Sequence, residues 1–327
     1  MTMFNSTFSA LLISMLAAFA PAMAGSFPDR PIKIVVPQPA ASGGDVLARM
    51  LAEKMSADLG KPVVVENRPG ANGLLAADLV KSDTSRGYTL MLTGVSVLSF
   101  NGALYKNLPY RPFEDFSFIA SIADTSFILV ASRKSEIKTV RDLRDRAMEN
   151  PNLLTYASAG VGNSSHLAAE MIMRSMGIRL LHVPYRGSAQ ILNALTSGEV
   201  DLTVGIPSSS LPLLKEGRIT ALAVMGSDRI QELPQVPTLK ESGFEIPSMP
   251  GWYALVGPAN IPADIIQQLS DTVRRFVASP DTQEKLRNMS LTPSFSTSQE
   301  IRARAVEDAR VWGGFIRENG IQLDQRS

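Results

Sequence analysis

Apolar positions fall into two rhythms along this chain. Short, mostly apolar runs at residues 32–36, 63–65, 88–92, 127–130, 154–157, 202–204, 221–224 and 253–256 have the length and composition of strands in a sheet covered by helices. Between them apolar residues recur at spacings of three and four. Asp45 opens one such segment, with Val46, Leu47, Met50, Leu51, Met55 and Leu59 on a single helical stripe, and Gly60 and Pro62 close it. Comparable stripes at 167–176, 191–195, 261–278 and 299–318 predict further helices. Pro280 interrupts the region between the last two, but no comparable strand signal occurs there, and the C-terminal part reads as mostly helix. Strand and helix in alternation predict an α/β fold with mainly parallel sheets flanked by helices.

The N-terminus departs from both rhythms. An apolar run at residues 8–19 precedes Pro21 and then Ala22-Met23-Ala24, the small-x-small form that a signal peptidase accepts. Residues 1–24 are therefore expected to be an export signal cleaved near Ala24, and the run is shorter than the ~20 residues that span a bilayer. The remainder of the 327-residue chain suits two compact units better than one. No Pro/Gly-rich linker separates them, which predicts two lobes in close contact. One lobe is expected to comprise residues 25–123 and 248–327, the other 124–247. Two crossings between lobes make a hinge, since only two extended segments must bend when the lobes close.

Composition narrows the chemistry. Cysteine is absent and histidine occurs only at His166 and His182, which excludes thiolate nucleophiles and metal sites built from thiolates or several imidazoles. A formal net charge of +1 supplies no field to attract a polyanion, so nucleic acid is not an expected partner.

In open parallel sheets, ligands collect at the carboxyl ends of strands. Three small-residue loops lie there. The first holds Ala41, Ser42, Gly43 and Gly44, the second Thr93, Gly94 and Ser96, and the third Gly162, Asn163 and Ser164. Small residues let backbone N–H groups approach an anion closely, and the first turn of a helix leaves such groups free. Ser42, Asn163 and Ser164 are equally good helix caps, and both roles stay open at this stage. Asp45 is expected to cap its helix and bond the loop; Arg186 is a candidate to reach an anion, and Trp252 is expected to pack.

Nucleotide motifs do not match: Gly43-Gly44 lacks the Lys-Ser/Thr pair of a P-loop, and residues 70–76 hold only a fragment of a dinucleotide fingerprint. No cofactor is expected. His166, just past Ser164 and Ser165, could donate to a ligand, cap its helix or serve a secreted serine hydrolase as a base. No Asp stands where a triad would need it and no nucleophile elbow is present, so a hydrolase is the weaker alternative.

The order and spacing of several short segments carry a family signature. They include residues 30–37 (Arg-Pro-Ile-Lys-Ile-Val-Val-Pro), Gly43-Gly44-Asp45, residues 65–71 (Val-Glu-Asn-Arg-Pro-Gly-Ala), Gly87-Tyr88-Thr89-Leu90, residues 154–160, Ser165-His166-Leu167-Ala168, His182-Val183-Pro184-Tyr185 and residues 234–238. Together they make the chain resemble the extracytoplasmic solute receptors of tripartite tricarboxylate transporters, the Bug-type periplasmic binding proteins. The resemblance implies a two-lobed, monomeric receptor in the periplasm that captures a small organic carboxylate and offers it to membrane permease subunits. Sensing for a signalling partner is the alternative use of the same lobes. It also implies a grip by backbone N–H groups, hydroxyls and waters, carried here by Ala41 to Gly44, by Thr93, Gly94 and Ser96, by Gly162 to Ser164, and by Gly205. Where the family often has Asp-Asn this chain has Gly205-Ile206, and Asn163 replaces a common Thr, so its ligand is expected to differ.

Overall fold

The computed structural model describes residues 27–246 and 251–323; the expected export signal lies outside them. The chain order is β1 (Ile32–Val36), α1 (Gly43–Leu59), β2 (Val63–Asn67), α2 (Leu74–Lys81), β3 (Thr89–Gly94), a π-helical turn (Ser96–Phe100) running into α3 (Asn101–Leu104), β4 (Phe116–Thr125) and β5 (Ile128–Ser132). There follow α4 (Val140–Glu149), β6 (Thr155–Ser158), α5 (Ser164–Met176), β7 (Leu181–Pro184), α6 (Ser188–Ser197), β8 (Leu202–Gly205), α7 (Pro207–Lys215) and β9 (Ile219–Val224). The last elements are β10 (Gly251–Pro258), α8 (Ala263–Ala278), α9 (Pro280–Asn288), β11 (Leu291–Pro293) and α10 (Ser298–Glu318).

Two sheets result, one per lobe, with strand orders β11-β4-β10-β3-β1-β2 and β7-β6-β8-β5-β9. The pairing is mixed rather than uniformly parallel. Strands β1, β2 and β3 pair in parallel, as do β6, β7 and β8, whereas β10 runs antiparallel to β3 and β4, and β5 antiparallel to β8 and β9. Antiparallel pairing arises where the chain leaves one lobe and returns to it. Local periodicity carries no information about that direction.

The β1 run is buried because both faces are covered. Ile32, Ile34 and Val36 face the core beneath α1 and α8, and Val35 faces a second core that includes Ala77 and Trp312. A fully buried side chain of this kind contributes roughly 1.5–3 kcal/mol. A third apolar cluster fills the far face of the second sheet, against α6 and α7.

The lobes join where β4 passes through Ser126 and Phe127 into β5, and where the returning chain enters β10. Gly251 and Trp252 lie opposite Thr125 and Asp124 in register, so the crossing segments run side by side. A Cβ at Gly251 would sit 2.5 Å from the Thr125 carbonyl oxygen, hence glycine at this close approach. Helix α10 braces the pair: Arg304 contacts Asp124 at 2.6 Å, and the Trp252 indole N–H donates to Asp308 Oδ2 at 2.8 Å.

Some elements escaped the periodic reading. Strand β4 (FSFIASIADT) mixes Phe and Ile with Ala and Ser in no clean alternation, yet is a ten-residue strand paired on both sides, by β11 and β10. Pro280 breaks the helix as expected, α8 ending at Ala278, and it also opens α9 at its first position, where its missing N–H is no loss.

Candidate functional site

The strand ends of both lobes face one another through helix starts. In the first lobe, Ser42 caps α1 by accepting the Asp45 N–H at 3.3 Å, and Ala41 takes a left-handed conformation with φ 63. Asp45 is buried and turned back into the loop. Its carboxylate accepts from the Ala41 N–H at 2.8 Å, from Arg49 Nε at 3.1 Å and from Asn67 Nδ2 at 2.9 Å. Burial raises the pKa of Asp45, but the bonds from Arg49, Ala41 and Asn67 outweigh it and hold the carboxyl below its ordinary value. The first-turn N–H groups of Gly43 and Gly44 donate to no protein acceptor among the described residues. Asp45 thus shapes a loop that leaves main-chain donors unpaired at a positive helix end, Gly43 partly exposed and Gly44 buried against the Gln38 side chain.

That arrangement predicts the effect of Asp45→Ala. It strips acceptors from three donors, so the protein should lose about 1–3 kcal/mol of stability, read by denaturant titration. In the native protein this contribution is present above the unfolded carboxyl pKa of ~3.9 and is lost as pH falls through the lower folded value.

The second loop follows β3. Thr93 is fully buried opposite Ala254, and its hydroxyl has no partner among the described residues. Gly94 is there for β10, since a Cβ would lie 2.4 Å from the Trp252 carbonyl oxygen. Ser96 opens the π-helical turn, and its Oγ is 2.7 Å from Ser164 Oγ of the other lobe.

In the second lobe, Asn163 caps α5 by accepting from the Ser165 N–H at 3.1 Å, leaving Ser164 as the first helical residue. Gly162 reaches across the cleft: its carbonyl accepts from Asn72 Nδ2 at 3.4 Å, and a Cβ on it would sit 2.5 Å from Leu323 Cδ1. Gly205 ends β8 with open space beside it, and the next residue, Ile206, lies 3.5 Å from the Cβ position of Gly43. His166 is buried, and its Nδ1 accepts from the Gly162 N–H at 3.1 Å.

The loops predicted separately from sequence therefore gather at one interlobe seam, in a closed arrangement. Ile206, noted with Gly205 from the family resemblance, also belongs to the seam, as do Asn72, Leu104 and Leu323, which were not anticipated. The one local signal was the cluster of positive-φ residues Gly70, Ala71, Asn72 and Gly73, which marks a turn held in an unusual shape. Arg186 stays exposed in the turn before α6. No Lys or Arg stands among the candidate residues. No group of three His, Cys, Asp or Glu that could hold a metal ion occurs among the described residues, and no described helix is long and apolar enough to cross a membrane.

A family model for the tripartite tricarboxylate transporter family receptor matches residues 47–321. BugT of Bordetella pertussis is 30% identical over 306 residues, 93% of this chain and 94% of that protein. The structure of an R. palustris protein with adipate superposes with a TM-score of 0.86 at 30% identity, covering 91% of this chain and all of that one (100%). MatC from Rhodopseudomonas palustris with bound malate gives 0.80 at 27% identity, covering 88% and 99%. The family match over residues 47–321, with relatives at 30% identity spanning nearly the whole chain, places this chain in the tripartite tricarboxylate transporter receptor family.

Proposed function

We propose that this protein is an exported, monomeric receptor of the periplasm that closes its lobes on a small organic carboxylate and delivers it to membrane permease subunits, with no catalysis of its own. The lobes in this reading are residues 25–123 with 248–327, and 124–247. The observation that carries it is the pair of undonated N–H groups at Gly43 and Gly44 at the start of α1, where Ile206 of the opposite lobe lies 3.5 Å from the Cβ position of Gly43. Such donors favour a carboxylate, and closure strengthens each bond by excluding water. Since the donor set is complete only when the lobes meet, ligand shifts the population toward the closed form, which a permease can distinguish. Adipate and malate in the similar structures support the ligand class.

A hydrolase reading has less support. The Ser–His pair within hydrogen-bond reach, Ser158 with His182 at 2.6 Å, has its serine fully buried. His166 is engaged with Gly162 rather than with a serine.

Native mass spectrometry of freshly purified protein tests the proposal. A retained small carboxylic acid is expected. A retained amine, or no binding across mono-, di- and tricarboxylates, would overturn it.

A further inference from the structure

The two histidines of this chain meet beneath the seam. Their ring centroids are 4.3 Å apart, and Tyr156 stacks on His182 at 4.8 Å. The parallel register of β6 and β7, which sets Tyr156 beside His182, brings the group together under the first turn of α5. His166 is 7% exposed there. An imidazole nitrogen accepts a hydrogen bond only while it carries no proton, so the 3.1 Å bond from the Gly162 N–H to His166 Nδ1 exists only with a neutral ring protonated at Nε2. Gly162 is also where the lobes touch. Its backbone is left-handed at φ +74, its Cα lies against Leu104 and Leu323 of the first lobe, and its carbonyl takes the Asn72 amide.

We propose that His166 is a positioning residue: by accepting the Gly162 N–H it holds the 160–163 turn in the shape that seats against the first lobe, and its protonation releases that turn, so that the closed form weakens in acid. The inference deepens the receptor reading and rests on it only for the consequence to ligand.

The surroundings fix the sign. Glu170 of α5 places Oε1 3.9 Å from His166 Nε2 and would favour a cation, but it already accepts from the Tyr156 hydroxyl of β6 at 2.7 Å. His182 of β7 opposes a second charge. From the first lobe the turn meets Leu104, Leu323 and Asn72, none of which titrates. Burial lowers His166 to about 4, while burial and then His166 itself lower His182 to about 4. A released ring takes its proton near ~6.5. The held turn therefore binds fewer protons than the released one. Its stability is full above that pH and declines from there toward the lower value.

The test follows the Gly162 amide and both imidazoles by NMR in the ligand-free ¹⁵N-labelled protein from pH 8 to 4. It is run on the wild type and on His166→Asn, whose Oδ1 can accept the same N–H without titrating. In the wild type the Gly162 amide should move with the His166 ring, at a midpoint well below the ordinary histidine value, and in His166→Asn it should stay flat. In parallel, malate and adipate are titrated in phosphate buffer. Wild-type affinity should fall about tenfold more than that of His166→Asn between pH 7 and 5, the variant correcting for ionisation of the acids themselves. A Gly162 amide indifferent to His166 ionisation, or a variant as pH-dependent as the wild type, overturns the proposal. If neither acid binds at pH 7, the choice of ligand class fails, and the amide titration alone decides the role of His166.

Discussion

Replacing Ser164 by Trp is expected to weaken carboxylate binding at least ~100-fold, about 2.7 kcal/mol, while both lobes stay folded. Ser164 is the first residue of α5 and not its cap, which is Asn163, so the helix keeps its start. Its side chain is half-buried and faces Ser96 across the seam at 2.7 Å, a gap that admits two hydroxyls and no indole. Closure is blocked without damage to either core. A partly exposed substitution of this kind changes stability by roughly 0.5 kcal/mol or less. Ser164→Ala, which removes one neutral hydrogen bond, should cost only about 0.5–1.5 kcal/mol of affinity. Calorimetry with the co-purifying acid measures both variants, and unchanged affinity in Ser164→Trp would move the site elsewhere.

Trp312→Ala carries the largest expected effect on stability. The indole is 1% exposed on α10 and packs on Phe100 at 5.3 Å and Phe315 at 5.7 Å between ring centroids. Removing a buried ring leaves a cavity that costs about 3–5 kcal/mol. For a chain of this size that lowers Tm by roughly 10 °C, read by circular dichroism. The damage also reaches the site. Phe100 ends the π-helical turn that Ser96 begins, so the Ser96 hydroxyl loses its backing and affinity should fall together with Tm. A Tm within a degree or two of the wild type would contradict the packing described.

Both variants separate what local sequence encodes from what it leaves out. The strands β1, β3 and β10 and the helices α1, α5 and α10 were legible because burial imposes a rhythm on their residues. Helix α4 is mostly charged, with Val140, Leu143 and Ala147 as its buried contacts, so its stripe is too thin to stand out despite a Thr139–Asp142 capping box. Strand β4 hides among small residues for the opposite reason, being covered on both faces. Loops rich in Gly and Ser before capped helices marked where donors lie. Which loops meet across the seam could not be read that way, because the pairings of Ser96 with Ser164, Gly43 with Ile206 and Asn72 with Gly162 join segments far apart in sequence. The same holds for the paired histidines, His166 on α5 and His182 on β7, which the tertiary fold brings within 4.3 Å.

The central claim of the proposed function is that main-chain amides at a helix start, aided by hydroxyls from the facing lobe, take the place of the cationic side chain that an acid would otherwise need. A crystal structure with the co-purifying acid examines that claim most directly. Its carboxylate oxygens should lie within hydrogen-bond distance of the Gly43 and Gly44 nitrogens, between the lobes. An acid gripped by a Lys or Arg side chain, or seated outside the seam, would contradict it.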